Sequence, residues 1–137
     1  MNTEPDAELS TAADTVLAAT RPLVLVVEDE AMIAMLLEDM LDELGCGVVG
    51  PAFRVAEAIE LAGSAEIDGA VLDVNLGGEK VYEVADALRR RNVPFAFASG
   101  YGEAGLRAAD AGRPVLEKPY RLSDLAELLT SWGLIQA

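Results

Sequence analysis

Glu28, Asp29, Asp73, Asn75, Ser99 and Lys118 are the residues whose types and settings suit chemistry, because they stand at or just beyond the ends of short apolar runs. Leu23 to Val27 leads into Glu28-Asp29, Gly69 to Leu72 into Asp73, Val93 to Ala98 into Ser99, and Pro114 to Glu117 into Lys118. A β-branched run that stops at a carboxylate and breaks into Gly77-Gly78 reads as a buried strand delivering an acid to its carboxyl edge. Three carboxylates gathered at such an edge repel and raise one another's pKa unless a cation joins them. Mg²⁺ fits that need, since it takes oxygen ligands, keeps several waters and uses one or two protein carboxylates with phosphate oxygens. Asp29 and Asp73 would bind it directly, Glu28 through water, and the Asn75 backbone carbonyl would add an uncharged oxygen. Such an ion serves phosphoryl transfer, with Lys118 adding positive charge and the Ser99 hydroxyl donating to a phosphoryl oxygen. Lacking a better nucleophile in this set, Asp73 itself is the acceptor, giving an acyl phosphate. Glu28-Asp29-Glu30 also suits the N-terminus of a helix, and the two roles are compatible.

Composition narrows the alternatives. The chain has no histidine, which removes Ser-His-Asp and Cys-His catalysis, His-ligated zinc and any phosphohistidine carrier. A formal charge of −14 opposes a nucleic-acid surface, and the Arg89-Arg90-Arg91 cluster reads as a solvated helix end. Cys46 stands alone and cannot close an internal disulfide. No apolar stretch is long enough to span a bilayer, and Met1 to Glu4 lack the features of a signal peptide, so a cytoplasmic setting is expected. With 137 residues, 52% of them apolar but only 5% aromatic, one domain with a Val, Leu, Ile and Ala core is expected.

The elements that must position the six residues alternate. Residues 1–20 read as a flexible acidic leader and 21–137 as the folded domain. Leu23 to Val27, continuously apolar, is a strand buried on both faces. Ile33, Leu36, Leu37, Met40, Leu41 and Leu44 recur at helical spacing, with Gly45 placed to end that helix. A short strand at 48–51 precedes a helix over Val55 to Ala62 that Gly63 ends. After the strand carrying Asp73, Val81, Val84, Ala85 and Leu88 mark a helix whose last turn holds the arginines. Residues 102–113 show only a faint helical pattern around Leu106 and Ala109. The last helix begins near Ser123, read as its N-cap, and carries Leu125, Leu128, Leu129 and Trp132. Five alternations with short connections indicate a doubly wound α/β fold with a parallel sheet, whose carboxyl edge collects all six residues.

Val26-Val27-Glu28-Asp29-Glu30, Leu72-Asp73-Val74-Asn75, Ala98-Ser99-Gly100 and Glu117-Lys118-Pro119-Tyr120, in that order across residues 22–133, resemble the receiver domain of bacterial two-component response regulators. The resemblance implies a flavodoxin-like sheet of order 2-1-3-4-5, with Glu28 and Asp29 as the acidic pair and Asp73 as phosphoacceptor. It further implies Ser99 as switch hydroxyl, Lys118 as the charged partner ahead of a cis peptide at Pro119, and Mg²⁺ as cofactor. The phosphoryl donor would be a sensor histidine kinase or phosphotransfer protein, and the signal would pass to a downstream protein. The chain would then be a switch and not an enzyme in the ordinary sense, a monomer or weak dimer acting without nucleic acid or membrane. Phe97-Ala98-Ser99-Gly100-Tyr101 is similar to a branch of mostly stand-alone receivers with a Phe-Ala-Thr-Gly motif and nearby Tyr, some of them in phosphorelays. The pattern departs at Val115, where strand five of the family often carries an aromatic residue, and at a shortened segment that implies a reduced helix four.

Two other functions compete. One is a phosphorylation-independent interaction module with a vestigial site, which the complete acidic set opposes. The other is an aspartyl-phosphate hydrolase, which needs a second Asp two residues beyond the nucleophile as general acid-base; Asn75 stands there and cannot act so.

Overall fold

The computed structural model describes residues 21–100 and 107–136. Five strands form one parallel sheet: β1 (Leu23–Val27), β2 (Gly47–Ala52), β3 (Gly69–Asp73), β6 (Phe95–Ser99) and β7 (Val115–Glu117), in the order β2-β1-β3-β6-β7. This is the expected 2-1-3-4-5 sheet once a small hairpin, β4 (Asn75–Leu76) and β5 (Glu79–Lys80), is set aside. Every residue of β3 and β6 is buried, as central parallel strands covered on both faces must be.

Alternation along the strands divides the interior in two. Leu25, Val27, Leu72, Phe95 and Phe97 face helices α2 (Val55–Ser64) and α3 (Tyr82–Arg90). Val24, Val26, Val71, Ala96 and Ala98 face α1 (Ala31–Glu43) and α4 (Leu122–Ser131). Phe95 and Phe97 meet edge to face with centroids 5.7 Å apart. The small residues matter as much. A methyl group added at Gly69 would stand 2.9 Å from ring carbons of Trp132, so only glycine lets the chain beyond α4 pack onto the start of β3.

Several local expectations need correction. Ser123 is not the N-cap of the last helix: α4 begins at Leu122 with Arg121 at the cap position and no side-chain cap bond, leaving Ser123 exposed in the first turn. Gly63 does not end α2, which continues to Ser64. Gly45 does follow α1 in a left-handed conformation, φ 88°. The arginine cluster is not simply solvated. Arg91 donates to the carbonyls of Ala62 and Ala65 at 2.7 and 2.8 Å, tying the end of α3 to that of α2. Arg89 pairs with Asp86 and with the fully buried Asp110.

Where the family's fourth helix would run, the described part is a short 3₁₀ turn, Ala108–Asp110. Charge holds it: Arg107 reaches Asp86 and Asp110, each at 2.8 Å, and stacks 4.5 Å from the centre of the Tyr82 ring. The leader, Tyr101 and Leu106 lie outside the described residues.

Candidate functional site

The parallel ladder itself places the chemistry-bearing residues. Glu28 N–H donates to the Ala52 carbonyl at 3.0 Å, Val74 N–H to that of Ala98 at 3.2 Å, and Lys118 N–H to that of Ser99 at 3.1 Å. Residues just beyond β1, β3, β6 and β7 are therefore locked side by side at the carboxyl edge, where open α/β sheets bind ligands. A cavity of about 500 Å³ opens there, lined by Asp29, Asp73, Asn75, Ser99 and Lys118, with Glu28 buried behind it. All six residues read from the sequence are thus brought to one edge.

Charge organises the floor. Lys118 Nζ lies 2.8 Å from Glu28 Oε1 and 3.2 Å from Asp73 Oδ2. Burial raises the Glu28 pKa, and the nearby Lys118 and the Glu30 N–H only partly offset it. Burial alone would lower that of Lys118, but the adjacent Glu28 and Asp73 carboxylates outweigh it and hold the ammonium above the ordinary lysine value. Backbone amides fix the other oxygens: Asn75 N–H reaches Asp73 Oδ1 at 3.3 Å, Glu30 N–H reaches Glu28 Oε2 at 3.1 Å, and Gly77 N–H reaches Asp29 Oδ2 at 2.9 Å.

The donor set fits a hard divalent cation. Glu28, Asp29 and Asp73 each offer a carboxylate oxygen within 4.8 Å of the others'. Three carboxylates against one ammonium leave two negative charges, which one such ion neutralises. Among the described residues the buried Glu28 Oε1 has the Lys118 ammonium 2.8 Å away and no hydrogen-bond donor besides it. An acceptor left in that state favours a further cationic or water partner.

Three features of the structure were not read from the sequence. Tyr120 is buried beside the acids, and burial, then the charges of Glu28 and Asp73, drive its phenol pKa far upward. The β4–β5 hairpin supplies the Gly77 amide to Asp29 and brings Lys80 to the cavity lining. Gly77 and Gly78 both have positive φ, 57° and 87°, as a two-residue type I′ turn requires, so Gly-Gly between Asn-Leu and Glu-Lys was the available signal. The third is the Asp86–Arg89–Arg107–Asp110 cluster, made from charges that sequence alone leaves on the surface. Val115 pairs with Phe97 in β7 and is half-buried, while the Lys118–Pro119 peptide is cis, as the resemblance implies.

Fold and edge together are those of a doubly wound signalling domain. Residues 24–130 match the response regulator receiver domain, and the chain belongs to that family. It is 42% identical to SdrG from Sphingomonas melonis Fr1, whose solution structure superposes with a TM-score of 0.74 over 83% of this chain and 98% of that one. The BeF3-activated conformation of SdrG, from Pseudomonas melonis Fr1, is 43% identical over 82% of this chain and 96% of that one, with a TM-score of 0.68. Among curated proteins it is 36% identical to the transcriptional regulatory protein PdtaR of Mycobacterium tuberculosis over 79% of this chain and 55% of that protein. It is 30% identical to the phyllosphere-induced regulator PhyR of Methylorubrum extorquens, over 91% of this chain and 51% of PhyR. The chain thus spans about half the length of these two curated relatives. Among the described residues no helix is long and apolar enough to cross a membrane.

Proposed function

We propose that the protein is a single-domain response regulator, phosphorylated on Asp73 by the phosphohistidine of a sensor histidine kinase or phosphotransfer protein. One Asp73 carboxylate oxygen attacks the phosphorus, the P–N bond to the donor imidazole breaks, and the imidazole nitrogen keeps the electron pair and takes up a proton from solvent. In this reading Lys118, 3.2 Å from Asp73 Oδ2, neutralises charge on the transferring group, and Ser99, at the end of β6 and in the cavity lining, donates its hydroxyl to a phosphoryl oxygen. Asp29 and Asp73, with Glu28 through water and the Asn75 carbonyl, would hold Mg²⁺, which supplies screening between the anionic nucleophile and the anionic phosphate.

The observation that carries this reading is the meeting of Asp73 with Lys118 inside a three-carboxylate cluster at the sheet's carboxyl edge. The existence of a BeF3-activated conformation of SdrG supports it, since beryllofluoride stands in for a phosphoryl group. Output passes through contacts with another protein, in the cytoplasm, from a monomer or weak dimer.

Incubation with phosphoramidate and Mg²⁺ followed by intact-mass measurement tests the assignment. One phosphoryl adduct is expected on the wild type and none on Asp73→Asn or after chelation with EDTA. An adduct that persists on Asp73→Asn overturns it.

A further inference from the structure

The cavity over Asp73 has a second lysine in its lining. Lys80 ends the β4–β5 hairpin, and its register partner across the two strands is Asn75, two residues beyond Asp73. Directly opposed residues of an antiparallel pair keep their Cα atoms within about 5.5 Å. The hairpin therefore returns a long cationic side chain to the rim of the pocket that β3 has just left. Its state differs from that of Lys118. Lys118 is largely buried and engaged by Glu28 and Asp73, whereas Lys80 is exposed and, among the described residues, has no carboxylate at ion-pair distance.

The cavity needs such a group. Asp29, Glu30 and Asp73 also line it, on a chain of formal charge −14, so an anionic donor meets repulsion along its approach. Lys118 is committed to the floor. We infer that Lys80 is a donor-positioning residue, an ammonium at the cavity mouth that receives the phosphoryl dianion of an incoming donor and holds it over Asp73 before transfer. A compact ammonium on a flexible stem suits an oxygen cluster that must bind loosely and then move inward. The inference rests on Asp73 being the phosphoacceptor, and it adds a residue that acts on donor capture while leaving the acyl phosphate to Lys118 and Ser99.

The test uses the full chain with acetyl phosphate and Mg²⁺, following initial rates of phosphoprotein formation by intact mass at low and high ionic strength. Lys80→Ala should slow labelling at subsaturating donor about threefold at low salt, and Lys80→Glu about tenfold, while Lys80→Arg stays near wild type. The deficits should appear in the apparent KM for acetyl phosphate, and should shrink at high salt. Mg²⁺ affinity, measured by calorimetry without donor, should move the other way, about twofold tighter in Lys80→Glu, because a cation has left the neighbourhood of the acidic set. Damage to the pocket would instead weaken both. Labelling of Lys80→Glu at the wild-type rate at low salt, or a loss confined to the rate at saturating donor, overturns the inference. Failure of the wild type itself to be labelled would strike the underlying assignment of Asp73 instead.

Discussion

Asp73 is poised by unequal neighbours. Lys118 attracts it at 3.2 Å, while Glu28 and Asp29 repel it from within the same cluster. Without a divalent ion the single Lys118 ammonium, shared with Glu28, offsets only part of the repulsion, so Asp73→Asn should be more stable than the wild type in EDTA, by about 1 kcal/mol in chemical denaturation, the worth of one close charge pair at the edge of solvent. Adding Mg²⁺ should reverse the order. At a concentration a hundredfold above its dissociation constant the ion stabilises the wild type by about 2.7 kcal/mol, and the variant much less. Equal stabilisation of both by Mg²⁺ would remove Asp73 from the ligand set. The identities of Glu28, Asp29, Asp73, Ser99 and Lys118 were legible from sequence because each ends an apolar run that could only be a strand. Lys80 and Tyr120 were not, since their approach to the site depends on a turn and on burial that one-dimensional spacing does not encode.

At the scale of elements, the short turn Ala108–Asp110 depends on α3. Asp110 is fully buried with guanidinium groups of Arg89 and Arg107 against it, and Asp86 completes the set. Asp110→Ala leaves two arginines facing a site built for a carboxylate. It should cost about 3 kcal/mol, the low end for breaking a buried ion pair, because both arginines can turn toward water. Hydrogen bonds from Arg107 in the first place, with Arg89 assisting against a modest burial penalty, hold the Asp86 pKa below its ordinary value of 3.8. A depressed carboxylate contributes stability that is fully present above its unfolded pKa and is lost as pH falls through the folded one. The stability gap between wild type and Asp86→Asn should therefore be constant near neutrality and close as pH drops below 3.8. A gap that widens on acidification contradicts the ion pairing. Helix existence was readable from periodicity here, but helix ends were not. Ser123 and Gly63 carry the right local chemistry for a cap and a stop, and packing of α4 and α2 overrode both.

For the whole molecule, the alternation of continuous apolar strands with helices indicated the doubly wound sheet, and the observed order β2-β1-β3-β6-β7 is the one the family resemblance implied. What the pattern could not supply is how the two layers close on each other. Gly69 shows this: it begins β3, yet its lack of a side chain serves Trp132 beyond the end of α4. Gly69→Ala would force the indole off the sheet and should cost about 1–3 kcal/mol in thermal or denaturant unfolding, the range for overpacking a filled interior. Unchanged stability would mean that Trp132 has another place to sit. The same closure carries function, because the interstrand bonds at Glu28, Val74 and Lys118 hold the edge residues in register only while the layers stay packed.

The most direct measurement traps the phosphorylated residue chemically. Borohydride reduction of the protein after treatment with phosphoramidate and Mg²⁺ converts an aspartyl phosphate to homoserine, which peptide mass spectrometry locates. Homoserine at Asp73, and at no other acidic position, is the predicted result. Homoserine at Asp29 or elsewhere with Asp73 intact would contradict the account.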